Sequence, residues 1–328
     1  MASRTTSRTA PAGPSPFEVA GDRLARAKFA HPTVTADGSP RAAVALRRLD
    51  TLWFATGTLC NLACANCYIE SSPTNDALVY ISPAHVARFL NEIAGQGVRE
   101  IGFTGGEPFM NPGIAAMMED ALSRGHQVLV LSNAMKPMRR HEGALLRLRE
   151  RYGDALTIRV SIDHHTQSVH EAERGPRSWQ PMLDGMRWLS RNGFSLAAAG
   201  RSMAGETPEQ ARHAYRLLFE QEGIAIDTAD PARLVLFPEM DAEADIPEIT
   251  TACWDILGKS PDEVMCAGSR MVVHRRGEPA PRVVACTLLP YAPGFDLGET
   301  VEEASRDVPL NHPHCARFCV LGGASCSA

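Results

Sequence analysis

Six short apolar runs, each separated from the next by a segment of helical period, constrain this chain more than any other feature. They fall at residues 51–56, 100–104, 127–131, 157–162, 194–199 and 233–237. A strand–helix–strand repeat of this kind is satisfied by parallel strands joined through right-handed crossovers. The expected fold class is therefore α/β, as a partial (β/α)6 barrel. Several intervening helices are legible one by one. Ser82 before Pro83 reads as an N-cap followed by proline at the first helical position. Val86, Phe89, Leu90 and Ile93 then form one apolar face. Thr207, Pro208 and Gln210 read as a capping box, with Ala211, Ala214, Tyr215 and Leu218 on the inner face. Trp179, Met182, Leu183 and Met186 share that spacing and read as core packing.

Beyond residue 264 the pattern changes. Residues 271–274 and 282–285 suggest a hairpin around Arg276 and Gly277, and a Cys- and Pro-rich tail follows. This divides the chain into an irregular N-terminal tail (1–45), a barrel (46–245) and a small Cys-rich C-terminal domain (246–328). Residues 1–16 carry Arg4 and Arg8 but no acid and no apolar h-region, so they read as a disordered tail rather than a secretory signal. A net charge of -5 gives no basic footprint for nucleic acid. No apolar run is long enough to span a membrane. The expected location is the cytoplasm. There, nine cysteines point to metal or redox chemistry rather than disulfides.

Three of the nine are Cys60, Cys64 and Cys67, spaced C-x3-C-x2-C just after the first strand. That is the C-terminal face, where barrel enzymes place their sites. Three thiolates leave one iron of a four-iron cluster open. A small molecule's amino and carboxylate groups could close it. The competing readings are a zinc site or buried structural cysteines. Zinc sites usually pair C-x2-C with a distant second pair, and none lies nearby.

The triplet followed by an aromatic, Tyr68, resembles the signature of the radical S-adenosylmethionine (SAM) superfamily. The resemblance continues at later strand ends. Gly105, Gly106, Glu107 and Pro108 resemble the family's Gly-Gly-Glu motif, whose backbone and carboxylate receive the SAM ammonium. Ser132 and Asn133 resemble its Ser-Asn-Gly, with Ala134 in place of the glycine, which leaves the turn's conformation open. Ser161, Ile162 and Asp163 resemble its Ser-hydrophobic-Asp. Arg174, in Glu173-Arg174-Gly175, matches a basic residue that pairs with the SAM carboxylate; the alternative is a solvated loop arginine. His164 and His165 stand where relatives often have glycine, facing either substrate or solvent. The resemblance covers residues 50–238. It implies a [4Fe–4S] cluster on Cys60, Cys64 and Cys67, with Tyr68 near the adenine. It also implies a low-potential reductant such as flavodoxin or ferredoxin, and reductive cleavage of SAM to a 5′-deoxyadenosyl radical that abstracts a substrate hydrogen.

Cys266 and Cys286 flank the expected hairpin, and Cys315, Cys319 and Cys326 follow it. This resembles the twitch or SPASM extensions that hold auxiliary [4Fe–4S] clusters. The tail has C-x3-C-x6-C where a full SPASM pattern has C-x2-C-x5-C-x3-C, so one auxiliary cluster is expected. Its ligands are Cys266, Cys286, Cys315 and Cys319, with Cys326 as the substitute. Zinc, with His312 or His314 assisting, and no metal at all are the alternatives. Cys253, beside Trp254 and Ile256, reads as a buried apolar residue. The expected activity is that of a biosynthetic oxidoreductase acting on a small molecule. The alternative is a peptide maturase that works with a separate peptide-recognition partner.

Overall fold

The computed structural model describes Gly13 and residues 15–18, 21–203, 205–238, 241 and 243–326. All six expected runs are strands: β2 (Thr51–Ala55), β3 (Glu100–Thr104), β4 (Gln127–Ser132), β5 (Leu156–Ser161), β6 (Ser195–Arg201) and β7 (Leu234–Phe237). They pair in sequence order and parallel throughout. Such strands are covered on both faces, and β2 and β6 are buried along their whole length. The helices between them are α1 (Pro83–Glu92), α2 (Ile114–Ser123), α3 (Lys136–Arg139), α4 (Glu142–Tyr152), α5 (Gln167–Arg174), α6 (Trp179–Arg191) and α7 (Pro208–Glu222). Ser82 caps α1 by accepting from the His85 amide, and Val86, Phe89 and Leu90 are its buried residues. Thr207 and Gln210 close the capping box of α7 reciprocally. Trp179, Met182, Leu183 and Met186 are core residues of α6.

The expected boundary at residue 245 does not interrupt the sheet. The hairpin is present as β8 (Ser269–Val273) and β9 (Arg282–Val284), and β8 pairs in parallel with β2. With β10 (Asp296–Gly298) added, the sheet has nine strands in the order β10-β9-β8-β2-β3-β4-β5-β6-β7. A bare β2 edge would offer unpaired backbone groups, and β8 covers them. The C-terminal segment then returns to the opposite edge. Phe318 meets Phe237 at the end of β7, ring centroids 5.2 Å apart. Arg159 on β5 donates to the Cys326 carbonyl at 2.7 Å.

The described part of the N-terminal segment is largely irregular, but it is packed. Its one strand, β1 (Ala43–Val44), pairs antiparallel with β11 (Val308–Pro309). Arg41 is buried, ion-pairs with Glu248 and donates to the carbonyls of His31, Val34 and Leu310. These bonds offset the desolvation of the guanidinium. Most of residues 1–16, where a disordered tail was expected, lies outside the described residues. Cys253 opens a short helix, α8 (Cys253–Leu257), and is half-buried against the core, while its neighbour Ile256 is 78% exposed.

Candidate active site

The C-terminal ends of β2 to β6 open on one cavity. Cys60, Cys64, Cys67, Tyr68, Gly105, Gly106, Ser132, Asn133, Ser161, Asp163 and Arg174 all line it. Of the residues expected to bind SAM, Glu107 alone does not.

The cysteine loop is bolted to its neighbours by backbone. The Gly106 amide donates to the Gly57 carbonyl at 2.8 Å, and that of Glu107 to the Leu59 carbonyl at 3.1 Å. A Cβ on Gly105, whose φ is +134°, would lie 2.5 Å from the Gly57 oxygen; one on Gly106 would lie 2.4 Å from that of Leu59. No side chain fits at either position. On the other flank, the Ala65 amide donates to the Glu173 carbonyl and the Asn66 amide to the Glu173 carboxylate. The amides of Leu62 and Ser71 point at the sulfurs of Cys60 and Cys67, both at 3.4 Å. Such bonds tune iron–sulfur potentials. Burial pushes the Cys60 thiol up to about 12, with the Glu107 charge adding to it, and burial raises Cys64 and Cys67 as well. Metal binding must therefore displace protons from these sulfurs.

Glu107 lies beneath the cavity floor, 1% exposed. Its carboxylate accepts from Ser132 Oγ at 3.0 Å, from the Asn133 amide at 2.9 Å and from the Phe109 amide at 3.2 Å. Burial pushes it up to about 7, against the pull of these donors. In this structure it holds Ser132 and Asn133 in place. Ala134 adopts the glycine-like conformation, with φ at +55°. The turn packs closely enough on α6 that a Cβ at Gly185 would sit 1.8 Å from the Ala134 oxygen.

Arg174 is a half-buried wall residue rather than a solvated loop arginine. Its guanidinium grips Asp163 through Nε and Nη2. Burial would raise the Asp163 carboxyl, but Arg174 and Arg201 outweigh it and hold the group below its ordinary value.

Arg201 escaped the sequence reading. It ends β6, lines the cavity, and is 6% exposed. Its Nη1 meets Glu173 at 3.1 Å, and its guanidinium lies 4.3 Å from the centroid of the Phe17 ring. Its Nε and Nη2 are buried without a hydrogen-bond partner, as is the Ser71 Oγ on the same wall. Unpaired buried donors are costly and mark the place of a polar or anionic ligand. The signal was present in the sequence as an arginine closing an otherwise apolar strand. Glu173 was also missed as a hub; it additionally receives Ser15 Oγ from the N-terminal segment.

A second, smaller cavity is lined by Cys266, Cys286, Cys315, Cys319 and His314 among apolar residues. Cys315 and Cys319 lie four positions apart on a π-helix (Cys315–Leu321), whose wide turn brings them toward one face. Burial pushes Cys266 up to about 11 and Cys286 to about 12, and raises Cys315 and Cys319. Cys326 is not in this group: it lines the first cavity, near Tyr68, and accepts from Thr287 Oγ1 at 3.2 Å. Cys253 lines neither. Neither cysteine set is drawn in as tightly as a zinc ion requires. Zinc with thiolates at about 2.3 Å holds the sulfurs about 3.8 Å apart. Among the described residues, the one set of three His, Cys, Asp or Glu ligand atoms within 4.8 Å of one another contains no cysteine. In the first cavity, three thiols, a glycine-walled groove and unpaired buried donors fit an iron–sulfur cluster closed by an amino-acid-bearing ligand.

The family model of the radical SAM superfamily matches residues 55–218. The antilisterial bacteriocin subtilosin biosynthesis protein AlbA of Bacillus subtilis is 30% identical over 141 residues, 43% of this chain and 30% of AlbA. The GTP 3′,8-cyclase of Chlorobaculum tepidum is 35% identical over 75 residues, 23% of this chain and 22% of that enzyme. The chain thus spans less than a third of either curated relative. Among solved structures, Streptococcus suis SuiB bound to S-adenosylmethionine aligns at TM-score 0.56 and 11% identity, over 77% of this chain and 63% of SuiB. The enzyme anSMEcpe with bound AdoMet aligns at TM-score 0.52 and 16% identity, over 78% of this chain and 77% of that one. These two likenesses establish the fold.

Proposed function

The chain belongs to the radical SAM superfamily, whose model matches half of it, and on that premise we propose that it is a peptide-modifying maturase. Its cofactors are a [4Fe–4S] cluster and SAM, which together supply a 5′-deoxyadenosyl radical that removes hydrogen from the substrate. In this reading Cys60, Cys64 and Cys67 hold the cluster. Tyr68, Gly105, Gly106, Ser132, Asn133, Ser161, Asp163, Arg174 and Arg201 form the SAM cradle, and Glu107 braces it from below. Residues 246–328 act as a twitch- or SPASM-like module holding one auxiliary cluster on Cys266, Cys286, Cys315 and Cys319. A low-potential reductant such as flavodoxin or ferredoxin supplies the electron.

The observation that carries the peptide reading is the match to AlbA, a bacteriocin biosynthesis protein, across 141 residues. Two fold relatives add to it: SuiB was solved with the precursor peptide SuiA, and anSMEcpe with a Cp18Cys peptide. The sequence alone favoured a small-molecule substrate, and the relatives shift the weight to peptide. The small-molecule reading keeps the shorter match to GTP 3′,8-cyclase. No helix among the described residues is long and apolar enough to cross a membrane.

The test is anaerobic turnover of the cluster-loaded, reduced protein with short peptides encoded beside its gene. A cognate peptide should raise 5′-deoxyadenosine release above the uncoupled rate and leave with a changed mass. If no such peptide does either, while a small molecule does both, the peptide reading is wrong.

A further inference from the structure

His164 and His165 follow β5 at the rim of the first cavity but do not line it, and they do not face solvent. Both turn toward Glu206, in the loop after β6. His165 Nε2 is 2.8 Å from Glu206 Oε1, and His164 Nε2 is 3.8 Å from Oε2. The three side chains are 7%, 17% and 19% exposed for His164, His165 and Glu206. These ligand atoms form the one set of three within 4.8 Å among the described residues. A His–Glu hydrogen bond accounts for His165 and Oε1 alone. It leaves Oε2 buried with no hydrogen-bond partner. The facing nitrogen of His164 is too distant to bond it. It also leaves unexplained why a second imidazole packs against the first, tilted 34° with ring centroids 3.9 Å apart, beside the same carboxylate. A cation between the three groups answers both points.

We propose that His164, His165 and Glu206 form a divalent transition-metal site, binding through the two Nε2 atoms and the Glu206 carboxylate. Two imidazoles and one carboxylate suit zinc or iron(II), and three protein ligands leave a further position for water or a substrate oxygen. Thr166 Oγ1 lies 2.8 Å from His164 Nδ1. The Thr166 amide also donates to that nitrogen at 3.1 Å, so binding an ion through Nε2 requires the imidazole proton to move to Nδ1, where Thr166 Oγ1 accepts it in place of the amide contact. Burial, with His165 adding, pushes His164 down to about 4, so it meets the ion as a neutral ligand. The ion ties the loop after β5 to the loop after β6. Asp163 and Arg201, where those loops begin, both line the first cavity, so the clamp borders the SAM site without being part of it.

The probe is zinc sulfate added to the cluster-loaded protein, whose cluster cysteines are then occupied by iron. After desalting, elemental analysis should find about one zinc per chain with iron unchanged. X-ray absorption at the zinc edge should show nitrogen and oxygen neighbours without sulfur. Glu206→Gln and His165→Gln should each weaken zinc at least tenfold, measured by competition with a chromophoric chelator, with iron content as the check on folding. Failure to retain zinc, sulfur in its coordination shell, or equal affinity in both iron-replete variants would overturn the assignment.

Discussion

Glu107→Gln separates a brace from a ligand. Glutamine keeps the shape of the side chain but cannot titrate, and one of its ends becomes a donor. The Asn133 amide donates to Oε2, while Ser132 Oγ and the Phe109 amide donate to Oε1. Glutamine must therefore set its amide group against a donor and lose at least one bond, at a cost of about 1–3 kcal/mol. The pH dependence carries more information. The Glu107 carboxyl moves from 4.5 to about 7 on folding, chiefly through burial. A group whose folded value lies above its unfolded value stabilises the fold in its protonated form. That contribution is complete below about pH 4.5 and fades as pH rises through about 7. At about 1.4 kcal/mol per tenfold, the displacement is worth about 3 kcal/mol, an order-of-magnitude figure. The protonated oxygen has a partner, because the Ser132 hydroxyl can turn from donor to acceptor.

The assay is the urea midpoint of the iron-free protein, followed by tryptophan fluorescence from pH 5 to pH 8, for wild type and variant. Wild-type stability should fall with pH relative to the variant, and the gap between them should shrink or invert above pH 7. SAM affinity of the loaded variant should fall as well, through a displaced Ser132 and Asn133. Parallel stability profiles combined with a loss of SAM affinity alone would refute the brace and return Glu107 to direct contact with the SAM ammonium.

Other outcomes follow from the same geometry. Replacing Cys60, Cys64 and Cys67 together by alanine should abolish SAM cleavage yet leave about four irons per chain, shown as one cluster type by Mössbauer spectra; stoichiometric zinc without iron, or about eight irons, would contradict a single auxiliary cluster. Arg201→Ala should weaken SAM binding about tenfold to a hundredfold, since charge-assisted bonds contribute about 1.5–3 kcal/mol; equal affinity in calorimetric titration would assign its free nitrogens to another ligand. Ala134→Gly should be neutral or stabilising by up to about 1 kcal/mol, because φ is +55° there; clear destabilisation in thermal unfolding would mean that the methyl group packs usefully.

The barrel was legible because each strand is a short apolar run that must be covered on both faces, and local period alone finds such runs. The caps of α1 and α7 were legible because they are written within four residues. The pairing of β8 with β2 was not, because it joins segments some two hundred residues apart through backbone groups that carry no side-chain code. The packing of the N-terminal segment was equally hidden. Ser15 and Phe17 are buried by one hydrogen bond and one stacked guanidinium, with no periodicity to announce them. Residue types located the cofactor site, but they did not assign tasks within it. Glu107 has the right chemistry for SAM, yet it lies outside the cavity with its oxygens bonded to protein donors, while Arg201 lines the cavity with two unpaired donors.

The C-terminal segment binds the two cavities into one cooperative unit. Leu288 lines both, two residues after Cys286. Phe318 and Cys326 wall the first cavity, while Cys315 and Cys319, on the same stretch of chain, wall the second. The cysteines of the second cavity come from segments that meet only when the module is folded, so metal bound there stabilises that fold. On the proposed function, iron in the second cavity would therefore hold a wall of the first in place. Cys266→Ala with Cys286→Ala should then cost SAM affinity although neither residue lines the first cavity, whereas Cys326→Ala should keep the full iron content. Unchanged SAM binding in the first variant would mean that the segment holds its place without the metal, and iron loss in the second would return Cys326 to the ligand set.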